Sequence, residues 1–267
     1  MRRWAGVLGA FFASATLGLA AMSVSAPRSA AEGEAPPVVK IGDEPAAALE
    51  FGVTPHVLSG DRRVPARLKL GAEVEGVAGI PPGLATMTFA LDRSIEFEPS
   101  GLPVCRWPTV QFHLQVEAAE APGECPRAMV GYGDARIMFA FPESKPIIVP
   151  APVTAYNGGI VDGALELLIE MQVAQPLDGA VKLVAPIRHS DRGWIGSEMT
   201  IQMPTLSEGA GMLMELQLEL GRHFRDEGRS AAFVTARCRH GKLAASLSAA
   251  MTDGTSFASE SIRACGR

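Results

Sequence analysis

The sequence predicts an all-β protein, an antiparallel β-sandwich of about a dozen strands with few or no long helices. Three observations carry that prediction. Apolar residues recur at every second position along much of the chain, the spacing that puts one set of side chains on one face of a strand. Turn-forming dipeptides separate these runs at hairpin distances. No comparably long stretch carries the i, i+3, i+4 spacing of an amphipathic helix.

The first segment stands outside the fold. Arg2 and Arg3 precede an apolar run from Trp4 to Met22, and small residues (Ser23, Ser25, Ala26) follow. That is the plan of a secretory signal peptide. Pro27 disfavours cleavage after Val24-Ser25-Ala26, so Ser29-Ala30-Ala31 is the expected site and residues 1–31 the expected signal. An uncleaved anchor is the alternative, but so much Ala, Gly and Ser makes a weak one. No Cys follows the apolar run to take a lipid, and no second run is long enough to span a membrane. Residues 32–48 are rich in Ala, Pro and Glu without an apolar period and read as a flexible linker.

From residue 49 to 267 the β pattern dominates. Leu68, Leu70, Ala72 and Val74 alternate with Lys69, Glu73 and Glu75, and Phe112, Leu114 and Val116 alternate with His113, Gln115 and Glu117. Leu165, Leu167, Ile169, Met171 and Val173 enclose Glu166, Glu170 and Gln172. Met214, Leu216, Leu218 and Leu220 alternate with Glu215, Gln217 and Glu219. The last two runs are made of good helix formers, yet their strict alternation selects strand over helix. Asn157-Gly158-Gly159, Asp162-Gly163, Asp178-Gly179 and Asp253-Gly254 read as tight turns, because these residues tolerate positive φ. Pro81-Pro82-Gly83 and Pro150-Ala151-Pro152 read as chain breaks.

A faint internal echo runs through the chain. Met87–Arg93 leads through Ile95 and Phe97 to Cys105, and Leu216–Arg222 leads through Phe224 to Cys238. Two similar β units divided near residues 150–163 would produce it.

All four cysteines, Cys105, Cys125, Cys238 and Cys265, follow the signal. An even number in an exported chain reads as disulfides. The sequence-local pairing is Cys105–Cys125 and Cys238–Cys265, with partners 20 and 27 positions apart. Closing loops of that size stabilises by about 3 kcal/mol each in the chain-entropy account. Cys238-Arg239-His240 raises a metal site as the rival, but no Cys-x-x-Cys pair supports one.

The chain has 267 residues, 47% hydrophobic and 20% charged, with net charge −5. Residues 1–31 hold Arg2, Arg3 and Arg28 and no acid, so removing them takes the charge to −8. An acidic protein of this kind is not a general nucleic-acid binder and is repelled by anionic lipid surfaces. Its partner is expected to be a cell-envelope component or another protein.

Catalytic signatures are scarce. The Gly-x-Ser-x-Gly turn of many serine hydrolases is absent. His189-Ser190-Asp191 has the right residue types, but neighbours in sequence make a polar turn more readily than a relay. His56, His113, His189, His223 and His240 show no i, i+2 or i, i+4 pairing for a metal. His223 and His240 share a basic stretch with Arg222, Arg225, Arg229, Arg237, Arg239 and Lys242, read first as a solvated strand face and second as an anionic-ligand patch. Trp107 and Trp194 are few aromatic platforms for a sugar. Gly131-Tyr132-Gly133-Asp134 is too short for a phosphate loop and suits a bulge. Asp253-Gly254-Thr255 lacks the ligand ladder of a calcium loop. No cofactor or metal is expected, and no catalytic residue is assigned.

Gly101-Leu102-Pro103-x-Cys105, then Cys125 with Ala128-Met129-Val130-Gly131-x-Gly133, then Asn157-Gly158-Gly159 resemble elements of a group of secreted actinobacterial proteins of unknown function. Ala236-Arg237-Cys238 with Gly241-Lys242-Leu243, and Asp253-Gly254-Thr255 with Cys265, complete the likeness over roughly residues 50–267. The resemblance implies export and a β-rich fold and brings no activity. The group includes Lys-rich members, whereas this chain is acidic.

The sequence therefore points to an exported, non-catalytic β-module with a binding or structural role at the cell surface or outside the cell. A secreted hydrolase with a site assembled in space is the first alternative, with Asp61, Asp92, Asp134 and His189 as its candidates. An apolar-ligand carrier using the interior is the second.

Overall fold

A computed structural model describes residues 46–75, 82–107, 125–174 and 179–266. The expected signal at 1–31, residues 32–45 of the linker, the run at 112–116 with His113, Pro81 and Asp178 lie outside the described residues. Among those described there are sixteen strands and no α-helix. The first half contains β1 (Ala46–Thr54), β2 (Val64–Pro65), β3 (Arg67–Glu75), β4 (Leu84–Asp92), β5 (Ile95–Phe97), β6 (Met129–Phe139) and β7 (Ile147–Val161). Next come β8 (Ala164–Val173), β9 (Gly179–His189), β10 (Ile195–Gln202), β11 (Gly211–Leu220) and β12 (His223–Asp226). The last are β13 (Arg229–Ala232), β14 (Val234–Ala236), β15 (Lys242–Met251) and β16 (Ser256–Ala264). Strand β1 thus takes up residues 46–48, which the sequence places in the linker.

Eleven strands form one sheet in the order β1-β3-β11-β6-β7-β8-β9-β10-β4-β15-β16. All ten neighbouring pairs are antiparallel. Ten reversals restore the starting direction, so β1 and β16 run the same way, and the sheet rolls until these two edges lie side by side. The accumulated twist of many strands drives this curl, and it hides edges that would otherwise recruit another strand. Backbone ladders do not join the edges. Arg263 Nε in β16 donates to the Phe51 carbonyl in β1 at 3.1 Å, and Leu58 N–H donates to the Cys265 carbonyl at 2.9 Å.

The alternation seen in sequence is the alternation of burial. Leu68, Leu70, Ala72 and Val74 of β3 face inward with Leu216, Leu218 and Leu220 of β11, joining Phe51, Phe89 and Phe233 in one contiguous apolar cluster. Runs 164–173 and 211–220 are strands despite their helix-forming composition, because each helix would leave half its apolar residues in water. Outward residues of β1, β3, β11 and β6 make cross-strand ion pairs and hydrogen bonds. Glu50 meets Lys69 at 2.6 Å, Arg136 meets Glu73 at 2.7 Å, and Tyr132 Oη donates to Glu219 at 3.0 Å.

Turn chemistry divides into two outcomes. Asp162-Gly163 closes the β7–β8 hairpin with both residues at positive φ (49° and 76°), and Gly254 at 88° helps turn β15 into β16. Glu227-Gly228 closes β12–β13 the same way (48° and 81°), without the Asn or Asp that marks such turns in sequence. Asn157-Gly158-Gly159, in contrast, is not a turn. It lies inside β7, where the register with β8 shifts between Asn157 and Gly159. Pro150-Ala151-Pro152 is also within β7 and breaks nothing. Prolines are tolerated there because the β7–β8 ladder begins only at Val153, leaving that edge without need of a donor.

Because β7 is continuous from 147 to 161 in the middle of the sheet, no boundary falls at 150–163, and the described residues fall in one compact unit. The two echoing segments become β4 and β11 of that same sheet.

Candidate functional site

The disulfides are Cys105–Cys125 and Cys238–Cys265, with Cα–Cα separations of 5.4 and 5.6 Å, and no described cysteine is free. Each clamps a different part of the rolled sheet. The first lies on the outside of β7 and β8, packed with Ala128, Tyr156 and Leu168. Leu168 occupies an outward position yet is buried, because this segment covers it. Trp107 stands edge-on to Tyr156 with ring centroids 6.3 Å apart, and Lys182 Nζ sits 5.4 Å from the Trp107 ring.

The β7 bulge is what docks the Gly-Leu-Pro-x-Cys segment. Cys105 N–H donates to the Asn157 carbonyl at 2.8 Å, and Asn157 Nδ2 donates to the Pro103 carbonyl at 3.0 Å. Asn157 Oδ1 accepts from Gly159 N–H at 3.1 Å. Gly159 sits at φ 82°, and a Cβ there would press on Val104. Gly131 and Gly133 likewise let β6 approach β11, since a Cβ on Gly133 would overlap the Gln217 carbonyl. These glycines serve packing, as a bulge reading of that stretch requires, and the register of β6 with β7 shifts between Met129 and Gly131.

The second disulfide sews the end of the seam. Cys238 N–H donates to the Ser59 carbonyl at 2.7 Å, and Leu58 N–H reaches Cys265, so the chain after β1 is held between both half-cystines.

The four hydrolase candidates do not converge. Asp61 is in the loop after β1, with its N–H near Ser59 Oγ. Asp92 ends β4 and accepts from Ser94 N–H at 2.8 Å, a local turn. Asp134 is outward-facing in β6, and four strands separate β6 from β4. His189 ends β9, on the far side of β10 from Asp92. His189 Nε2 does lie 3.0 Å from Asp191 Oδ1, but both side chains are largely in solvent while Ser190 is turned inward. The triplet is a polar turn and no relay. His56, His189, His223 and His240 are all exposed.

The basic stretch 222–242 does not form one face either. Arg222 is drawn away to the Arg127 and Met129 carbonyls, and Arg229 pairs with Glu227 on the β12–β13 hairpin. Arg237 and Arg239 belong instead with the small sheet of β2, β14 and β5. There Val234 and Ala236 point into the core and Thr235 points out, opposite Pro65 on one side and Glu96 on the other. One step further, Arg237 N–H donates to the Ser94 carbonyl at 3.1 Å, and Arg63 Nη1 donates to that same oxygen at 2.7 Å. Arg63 also reaches the Arg93 carbonyl at 3.1 Å and ion-pairs with Glu96. Burial first, then the fields of Arg237 and Arg239, hold the Arg63 guanidinium below its usual range, against the opposing pull of Glu96. Two polar atoms on this face, Thr235 Oγ1 and Arg237 Nε, are buried without a partner.

This arginine face is the strongest concentration of unpaired polar chemistry among the described residues. Arg63, Glu96 and Thr235 escaped the sequence reading because they come from three separate strands or strand ends. The adjacent Arg62-Arg63 pair was the only local trace. No protein-family model matches the chain, and no curated protein matches it.

Proposed function

We propose that this protein is an exported β-module that works at the cell surface or outside the cell by binding through its outer face, without catalysis. One observation carries the reading. No charged residue among the described residues is buried as a whole, and the inside of the rolled sheet is a continuous apolar cluster. Groups able to recognise a partner therefore stand on the outside. Two disulfides and the absence of a free thiol among the described residues support an oxidising compartment. The Arg2-Arg3 start and apolar run to Met22 support delivery there, as does the resemblance to secreted actinobacterial proteins. No described helix is long and apolar enough to cross a membrane.

The test is expression of the full chain in an exporting host, followed by intact-mass analysis and co-sedimentation of the oxidised product with cell-envelope preparations. The expected product begins at Glu32, carries both disulfides and sediments with envelope material. Residues 1–22 retained in a membrane fraction would overturn export. Turnover of ester, peptide or glycoside substrates by the purified protein would overturn the non-catalytic reading.

A further inference from the structure

We propose that the outer face of the small sheet binds a phosphate-class dianion through the guanidiniums of Arg237 and Arg239, with Arg63 as a fixed cation beside them. It rests on the reading of the outer surface as the working face and names its ligand chemistry. The register of β14 places Arg237 one step beyond the Ala236–Val64 pair, opposite Arg63. Like charges at such cross-strand positions repel. Glu96 is the one carboxylate bonded within this group, and it is taken by Arg63. Three guanidiniums and one carboxylate leave a local charge of +2 in a chain whose net charge is −5. Arg239 is exposed and Arg237 is half-buried, so both can be reached from solvent.

An oxyanion would neutralise that excess charge and accept from the guanidinium forks. A dianion matches the local charge of +2. A tetrahedral oxyanion also offers acceptors to two guanidinium forks together, where a carboxylate fills one fork. The frame is pre-organised for this. Cys238, between the two arginines, is held by its disulfide and by the Ser59 carbonyl, and Arg237 by the Ser94 carbonyl. The backbone is thus held, and it is the arginine side chains that remain to be ordered on binding.

The experiment is isothermal titration of the oxidised full chain with inorganic phosphate at constant ionic strength, with methyl phosphate and acetate as parallel arms. Saturable binding of phosphate is expected, with acetate weaker by about tenfold. Methyl phosphate binding as well as phosphate identifies a phosphoryl group on a larger molecule, whereas weaker binding identifies free phosphate. Arg237→Gln and Arg239→Gln are each expected to weaken phosphate binding by about tenfold. Arg239→Gln removes none of the hydrogen bonds described above, so its effect reports on binding and not folding. Glu96→Gln removes the competing carboxylate and is expected to tighten binding by about threefold. Arg225→Gln, on the separate β12–β13 hairpin, is expected to leave it unchanged. No saturable phosphate binding, acetate binding equally well, or full affinity in both Arg237→Gln and Arg239→Gln would overturn the site. A silent titration beside intact envelope co-sedimentation overturns this site alone, and loss of both overturns the surface-module reading too.

Discussion

Arg263, in the last strand of the rolled sheet, donates its Nε–H to the main-chain carbonyl of Phe51 in the first strand, at 3.1 Å. Eleven antiparallel strands cannot close with an antiparallel pair, since β1 and β16 run in the same direction. Side chains and a disulfide take over where a backbone ladder is missing. Arg263→Met keeps the apolar stem and removes the donor, leaving the Phe51 carbonyl short of a charged partner. The expected loss is about 1.5–3 kcal/mol, read by urea denaturation, with faster hydrogen exchange along β1 than along β8.

The two disulfides are expected to fail differently. Cys105→Ser with Cys125→Ser costs about 3 kcal/mol and uncovers Leu168 and Tyr156 on the outside of the sheet. Red-shifted emission that disappears in a Trp107→Phe background is the signature. Cys238→Ser with Cys265→Ser has a similar loop-entropy cost but loosens the seam, so increased exchange at Leu58 is expected with Trp107 emission unchanged.

Asn157 is fully buried and bonds both Pro103 and Gly159. Asn157→Ala strands the groups it served, at about 1–3 kcal/mol for each group left unsatisfied. Asn157→Asp keeps the acceptor for Gly159 but turns a carboxylate toward the Pro103 carbonyl. That burial raises the carboxyl pKa above its unfolded value, so the variant is expected to lose stability as pH rises through the unfolded carboxyl range, and to regain it on acidification. Thermal melts across that range check the sign.

Three glycine substitutions separate three roles. Gly133→Ala drives a methyl into the Gln217 carbonyl and is expected to cost about 3 kcal/mol or more. Gly163→Ala meets no atom but sits at φ 76°, and about 1 kcal/mol is expected. Gly179→Ala meets neither obstacle, and a gain of roughly 0.4–1 kcal/mol is expected from the unfolded chain. Denaturation midpoints rank the three.

Asp253 accepts from the hydroxyl of Thr255 at 2.7 Å and from its N–H at 2.9 Å. These hydrogen bonds hold the Asp253 carboxyl below the ordinary aspartate range. The folded pKa is depressed, so whatever stability the turn draws from it is present above the unfolded value and fades as pH falls through the folded one. Carboxyl-detected NMR titration is expected to show Thr255→Ala moving Asp253 upward toward the ordinary value.

Local rules were enough for the described alternating strands, the turns at Asp162-Gly163 and Asp253-Gly254 and the sequence-local cysteine pairing, because period-two alternation, positive φ and short loop closure are properties of neighbours along the chain. Even the helix-forming runs 164–173 and 211–220 were legible, since only a strand puts all their leucines on one side. Longer-range features were not. Asn157-Gly158-Gly159 has the composition of a turn and becomes a bulge because Pro103 and Cys105, some fifty residues away, dock on it. Leu168 breaks its strand's alternation because a disulfide-tethered segment covers it from outside. The arginine face unites Arg63, Glu96, Thr235 and Arg237, whose sequence spacing is arbitrary until β2, β5 and β14 pair. The sequence by itself determined a disulfide-stapled β chain with its apolar residues on one face. Only the tertiary structure decided that one sheet rolls up to bury that face, and which polar groups then meet outside it. Periodicity specifies which side of a strand is dry, whereas strand order and seam contacts depend on pairings hundreds of residues apart that no local pattern encodes.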